Sequence, residues 1–182
     1  MAIYMNSERL WFRAPMGADA AVLTGFLHDP RVRRNLAIGR YPFSEEGEAR
    51  WLAEQDHPPA MDGQTDVRFA FGAQGQEQVL GVTGLHRISM LHRNAEWGIL
   101  IGRPEEWGKG YGREVARAML AYAFRTLNLH RVWLRVNADH PGGIKAYEAA
   151  GFRREGVFRQ HIFVDGTWVD QVAMAALATE WK

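Results

Sequence analysis

From position 67 to position 101 apolar and polar residues alternate with a period of two, the spacing of strands that bury one face. Val67, Phe69 and Phe71 interleave with Arg68 and Ala70, and turn signals at Gln74-Gly75-Gln76 and near His92-Arg93 separate this run from residues 79–88 and 95–101. Three antiparallel strands in a row are expected, ending where Gly102-Arg103-Pro104 breaks the pattern. Upstream, residues 8–14 read as a strand and 18–28 as a helix with Val22, Leu23, Phe26 and Leu27 on one face, closed by Asp29-Pro30. A short helix over 31–36 follows. Ser44 before Glu45-Glu46 reads as the N-cap of another helix, running to about Gln55. Downstream, Ala116, Leu120, Ala123 and Leu127 recur at helical spacing across 110–127, the longest predicted helix. Residues 131–136 are a β-rich run, 144–150 a short helix ended by Gly151, and 156–164 and 168–177 flank Asp165-Gly166, a two-residue hairpin signal. Helices inserted between strands of a central sheet make this an α+β pattern.

Composition narrows the chemistry. The chain has 182 residues, 47% of them hydrophobic, which at roughly 150 residues per domain predicts a single domain over 1–182. No repeat, low-complexity tract or linker divides it, and His57-Pro58-Pro59-Ala60-Met61-Asp62-Gly63 is short enough for a surface loop. Lys and Arg number 22 against 21 Asp and Glu, so no global field steers the protein to nucleic acid or an anionic membrane, and neither partner is expected. The absence of cysteine excludes disulfides, thiolate zinc sites, iron–sulfur clusters and a cysteine nucleophile. Seven histidines invite a metal, yet no H-x-x-x-H or H-E-x-x-H pair occurs, and no metal is expected. The opening residues lack a basic stretch followed by a long apolar one, and no run approaches 18 uncharged apolar residues; a soluble cytoplasmic protein is the default.

The most specific segment is Pro104-Glu105-Glu106-Trp107-Gly108-Lys109-Gly110-Tyr111-Gly112-Arg113, between a strand and the longest helix. Three alternate glycines let the backbone turn tightly and approach a ligand, and the N–H groups and positive dipole end of the following helix favour an anion such as phosphate. The spacing is neither a P-loop, which places Ser or Thr after its Lys, nor a dinucleotide fingerprint, because the third glycine falls at 112 instead of 113. Read singly, it also fits a structural strand–helix turn, the lesser of the two readings.

Other segments accompany it in order. Trp107 to Gly112 fits the (Q/R)-x-x-G-x-(G/A) acyl-CoA pyrophosphate loop, with Trp107 in the Gln/Arg slot. Ala95-Glu96-Trp97-Gly98-Ile99-Leu100-Ile101 precedes it; Ile144-Lys145-Ala146-Tyr147-Glu148-Ala149-Ala150-Gly151-Phe152 and the hairpin Phe163-Val164-Asp165-Gly166-Thr167-Trp168-Val169-Asp170 follow. Over essentially its whole length the chain resembles the GNAT (GCN5-related N-acetyltransferase) superfamily, in particular its RimJ/RimL-like branch, which acetylates ribosomal-protein N-termini and includes relatives acting on small amines. His140 stands before Pro141 where relatives usually show Asn.

The resemblance implies a central mixed, mostly antiparallel seven-stranded sheet with flanking helices, in which strands 96–101 and 131–136 splay apart to admit acetyl-CoA. Backbone groups of Ile99, Leu100 and Ile101 would pair with the pantetheine amides, and an N–H near Leu100 would stabilise the oxyanion. Trp107, Gly108, Lys109, Gly110, Tyr111, Gly112 and Arg113 would hold the pyrophosphate, Lys109 and Arg113 adding charge unless they are simply solvated. Direct transfer needs a neutral amine, so a base must take a proton from the ammonium. Glu96 is the candidate base, directly or through water, against the plain reading of a polar residue alternating with buried Trp97. Tyr147 is the candidate acid toward the CoA sulfur; its spacing with Ile144 and Phe152 alone reads as a core stripe.

The acceptor would be bound by residues 28–57 and 158–170, either a protein N-terminus or a small-molecule amine. Tyr41, Phe43, Trp51 and Trp168 are candidate walls, and Glu45, Glu46 and Glu48 a candidate attraction for a polyamine, although acidic first turns serve helix ends alone. Arg31, Arg33 and Arg34 are a small basic cluster, read as a solvated helix face. The competing class is a non-catalytic acyl-CoA-binding module. Relatives of this kind often form homodimers, and a homodimer is an open expectation.

Overall fold

The computed structural model describes residues 2–36, 41–54 and 65–182. The stretch 57–63 and the expected end of the third helix near Gln55 lie outside the described residues. Among the described residues eight strands form one sheet, ordered β1-β2-β3-β4-β5-β6-β8-β7, where β1 is Met5–Asn6, β2 Leu10–Arg13, β3 Thr65–Ala73, β4 Val79–Ser89, β5 Asn94–Ile101, β6 Arg131–Asn137, β7 Arg153–Val164 and β8 Thr167–Leu177. The mixed, mostly antiparallel sheet is as expected, but it has eight strands and not seven. The addition is β1, a two-residue edge strand too short to show a period in the sequence.

Helices cover both faces because β2 alternates sides. Leu10 and Phe12 enter the larger core with Val115, Met119 and Leu120, while Trp11 enters a second core with Ala20, Leu23, Phe26 and Leu52. The first face carries α4 (Tyr111–Ala121) and α5 (Pro141–Ala150); the other carries α1 (Ala20–His28) and α3 (Glu45–Glu54), with the short α2 (Pro30–Arg33) between them in sequence. Each boundary has a local cause. Asp29 is extended before Pro30, ending α1, and its side chain accepts the Arg31 N–H to cap α2. Ser44 Oγ accepts the Gly47 N–H at 3.0 Å, the cap expected for α3. Asp165 and Gly166 both have positive φ, 46° and 83°, as a primed hairpin turn requires.

Several expected bounds shift: α2 ends at Arg33 instead of 36, and α5 begins at Pro141 instead of 144. The helix predicted over 110–127 is α-helical to Ala121 and continues as a π-turn over Tyr122–Thr126, a change that apolar spacing does not reveal. β7 begins at Arg153, three residues before the expected start, through a register shift between Arg154 and Gly156.

One junction governs the site. β5 and β6 are the parallel pair of the sheet, and they pair only from Asn94↔Arg131 to Glu96↔Trp133. Beyond Glu96 they separate, leaving the β6-facing edge of β5 open.

Candidate functional site

Two cavities meet at that open edge. The first, of about 680 Å³, lies on the α4–α5 side and is lined by Ile99 to Ile101, Trp107 to Arg113, His140 and Tyr147. The second, of about 650 Å³, lies on the α1–α3 side and is lined by Leu23, Leu27, Phe43, Glu48, Trp51, Arg68, Thr83, His86 and Gly98. Leu36, Ile99 and Leu100 line both.

In the first cavity the glycine-rich turn ends at Gly110, the N-cap of α4, which has φ +86° and no side-chain cap. The Glu114 N–H bonds to Gly110 O at 3.2 Å, so the earlier N–H groups, on Tyr111 to Arg113, precede the helix ladder and are available to an anion. Lys109 Nζ pairs with Glu106 at 2.9 Å, while Arg113 lines the cavity with no ion pair among the described residues. Trp107, in the slot where Gln or Arg is usual, donates its indole N–H to Ile101 O at 2.9 Å and ties the turn to the end of β5.

The β5 edge divides its groups. Gly102 N–H donates to Leu80 O at 2.9 Å, and antiparallel alternation then places Leu100 in a hydrogen-bonded pair with Val82 and turns the N–H and C=O of Ile99 and Ile101 toward the gap. With Ile101 O taken by Trp107, the groups left for a strand-like ligand are those of Ile99 and the Ile101 N–H.

Arg9 is a contributor that sequence reading missed. Its guanidinium bonds Lys109 O at 3.1 Å and Glu114 Oε2 at 2.8 Å and lies 4.8 Å from the Tyr111 ring centroid. Burial alone would raise the Glu114 carboxyl, but hydrogen bonds from the Arg9 N–H, Ser7 Oγ and the Arg9 guanidinium hold it below the usual carboxylate range. The carboxylate in the first turn of α4 is thereby neutralised beside the anion site. The only earlier signal was an acidic residue in that turn, which any helix N-terminus favours.

Tyr147 lines the same cavity, its ring edge-on to Trp97 at 5.1 Å and 6.3 Å from Phe152. Burial pushes its phenol up to about 12, so it is a donor at any working pH. His140 precedes α5 and its ring packs where a Gly143 Cβ would stand, 2.6 Å from Cδ2, which accounts for the glycine there. Burial lowers its pKa despite Asp139, favouring neutral imidazole.

Glu96 lines neither cavity. Its carboxylate receives Arg87 Nη1 at 2.7 Å and Arg135 Nη2 at 3.2 Å at the closed end of the splay, so the structure does not bring it to Tyr147 or to Leu100. Of the expected acceptor walls, Phe43 and Trp51 line the second cavity, whereas Tyr41 is exposed and Trp168 packs on Phe163 on the exposed β7–β8 hairpin. Glu48 is buried there, and desolvation raises its carboxyl, weakening it as an anion. Arg31 pairs with Asp29 and Arg34 with Asp139. Among the described residues no group of three or more His, Cys, Asp or Glu is placed to hold a metal, and no helix is long and apolar enough to cross a membrane.

Gly110→Ala tests the turn. A Cβ at φ +86° costs about 1–2 kcal/mol, and relieving it re-aims the N–H groups that follow. The expected result is a roughly tenfold weaker acetyl-CoA affinity by calorimetry, with the fold retained. Unchanged affinity would remove the turn from the binding site.

A family model described as acetyltransferase (GNAT) domain matches residues 9–153. A spermidine N(1)-acetyltransferase from Vibrio cholerae is 32% identical over 177 residues, 97% of each chain. An uncharacterized N-acetyltransferase, p20, from Bacillus licheniformis is 29% identical over 97% of each. The crystal structure of a Vibrio cholerae spermidine N-acetyltransferase in complex with CoA and spermine superposes with a TM-score of 0.82 at 27% identity, covering 94% of this chain and 96% of that one.

Proposed function

Since the chain belongs to the GNAT acetyltransferase family and is an acetyl-CoA-dependent acyltransferase, we propose that it moves the acetyl group to a primary amine by direct attack in a ternary complex formed by one catalytic domain. The observation that carries this reading is the pair of cavities joined through Leu36, Ile99 and Leu100: a thioester entering from one side and an amine from the other meet at the open edge of β5. The α4 N-terminus and the glycine turn hold the pyrophosphate, Arg113, with no ion pair among the described residues, adds charge, and Ile99 and Ile101 offer N–H groups on the open edge of β5. Tyr147 donates to the sulfur as the C–S bond breaks. Its phenol at about 12 is a weaker acid than a thiol near 8.5, so it stabilises the thiolate by a hydrogen bond without giving up its proton. Glu96 enters as the carboxylate that fixes Arg87 and Arg135, because two guanidinium groups hold it away from both cavities.

The acceptor follows from the second cavity. Among its described lining residues Leu23, Leu27, Pro42, Phe43 and Trp51 form an apolar wall, and the carboxylate among them is Glu48, weakened by burial. A polycation needs several spaced anions. The lining instead suits a primary amine on an apolar body, a small monoamine or a peptide N-terminus with an apolar first side chain. The ordered motifs around residues 95–113, 144–152 and 163–170 support a place in the RimJ/RimL-like branch. In a thiol-release assay an arylalkyl monoamine should exceed spermidine in kcat/KM by roughly tenfold or more. Spermidine as the better substrate would return the acceptor to the polyamines, and acetyl-CoA binding without release to any amine would favour the non-catalytic module.

A further inference from the structure

We propose that His86, oriented by Asp66, is the base that takes the proton from the acceptor ammonium. This rests on the acetyltransfer reading above. His86 lies on β4 beside Gly98 of β5, and both line the acceptor cavity. Its Nδ1 is 3.1 Å from Asp66 Oδ2, so the carboxylate accepts the Nδ1–H and leaves the Nε2 lone pair as the acceptor. Nε2 is also the ring atom nearest the position a Gly98 Cβ would take, at 3.4 Å, so the missing side chain opens the space in front of it. The imidazole therefore presents its basic nitrogen to the cavity two residues along β5 from Leu100, where the two cavities join.

The surroundings are set for a reversible charge. Asp66 Oδ1 accepts the Arg87 N–H at 3.0 Å, which holds the carboxylate in place. Burial would raise Asp66, but the bonds from His86 and the Arg87 N–H and the nearby positive charges hold it below the usual range, so it stays an anion when imidazolium forms. Arg68 on β3, itself paired with Asp66, and Glu48 on α3 line the same cavity as the imidazole, and Arg87 follows it on β4. Glu96 is its cross-strand partner on β5, but that carboxylate is turned to Arg87 and Arg135.

The step balances without a co-reactant. One proton passes from R–NH3+ to Nε2, and the freed nitrogen pair forms the C–N bond to the thioester carbon. The C–S bond breaks and its electron pair leaves on sulfur. The nitrogen loses a second proton as the amide forms; of the two protons one ends on the CoA thiol and the other, released by His86, in water.

The test is the pH dependence of kcat for wild-type, His86→Gln and Glu96→Gln proteins with a saturating primary amine, followed by thiol release. Wild type should show an acid limb, losing rate as the pH falls and the base takes up a proton. His86→Gln should lose that limb and fall roughly tenfold or more on the plateau, with the acetyl-CoA KM unchanged. Glu96→Gln should keep the limb. Added imidazole should restore part of the rate to His86→Ala, a rescue that a purely packing role would not give. A His86→Gln protein that keeps the limb, or a Glu96→Gln protein that loses it, overturns the base assignment while leaving acetyltransfer intact. A wild-type protein that releases no thiol with any amine overturns both.

Discussion

Tyr147→Phe lowers kcat by roughly 10- to 100-fold and leaves the acetyl-CoA KM within about twofold of wild type, the pattern expected when an interaction made only as the bond breaks is removed. That loss is about 1.4–2.8 kcal/mol of barrier. The ring provides packing and the hydroxyl provides the chemistry, so the variant separates them. Phenylalanine keeps the edge-on contact with Trp97 and the contact with Phe152, and the fold should be unaffected. The phenol stands at about 12, above the alkylammonium value near 10.4, so wild type should show no alkaline loss from Tyr147 while the amine substrate is being deprotonated. Steady-state kinetics decide it: wild-type turnover in Tyr147→Phe would leave the residue as part of the core stripe that its spacing with Ile144 suggests.

Asp19→Ala should cost about 3–5 kcal/mol of stability, because it strands a buried guanidinium. Arg13 on β2 and Asp19 at the start of α1 form a two-bond pair, each bond 2.7 Å, with side chains only 5% and 6% exposed. Asp19 also accepts the Met16 N–H at 2.8 Å. For a chain of this size the expected fall in Tm is roughly 6–20 °C, read by calorimetry. The double change Arg13→Met, Asp19→Leu removes both charges and should recover much of the loss, the mark of a desolvation penalty and not of a missing attraction. The functional effect should be one-sided. α1 contributes Leu23 and Leu27 to the acceptor cavity, so a surviving Asp19→Ala protein should lose amine affinity before acetyl-CoA affinity. A single variant as stable as wild type would contradict the account of this pair.

What was legible in the sequence was local. Period two over residues 67–101 places three consecutive strands, and Ser44, Pro30 and Asp165-Gly166 act within a turn of themselves. The glycine turn was likewise readable, since Gly108 and Gly110 need positive φ where they stand. What escaped depends on pairing between distant positions. Arg9 reaches Glu114 across 105 residues, and neither residue type announces it. His86 and Asp66 meet only through the β3–β4 pairing, whose register sets Val67 against Leu85 and so Asp66 across from His86. The position of Glu96 beside the expected cleft was readable, but not that Arg87 and Arg135, on the neighbouring strands, converge on its carboxylate. Trp107 stands in the slot where Gln or Arg is usual, and nothing in the sequence shows that its indole fastens the turn to β5.

The central claim is that two cavities joined at Ile99 and Leu100 bring an amine directly onto a thioester. Initial rates of thiol release, with acetyl-CoA and a primary amine varied against each other and the N-acetyl product counted by mass spectrometry, test it most directly. The account predicts one amide per thiol, release that requires the amine, and intersecting double-reciprocal lines. Clear binding of acetyl-CoA with no amine-dependent release across monoamines, peptides and polyamines would contradict it.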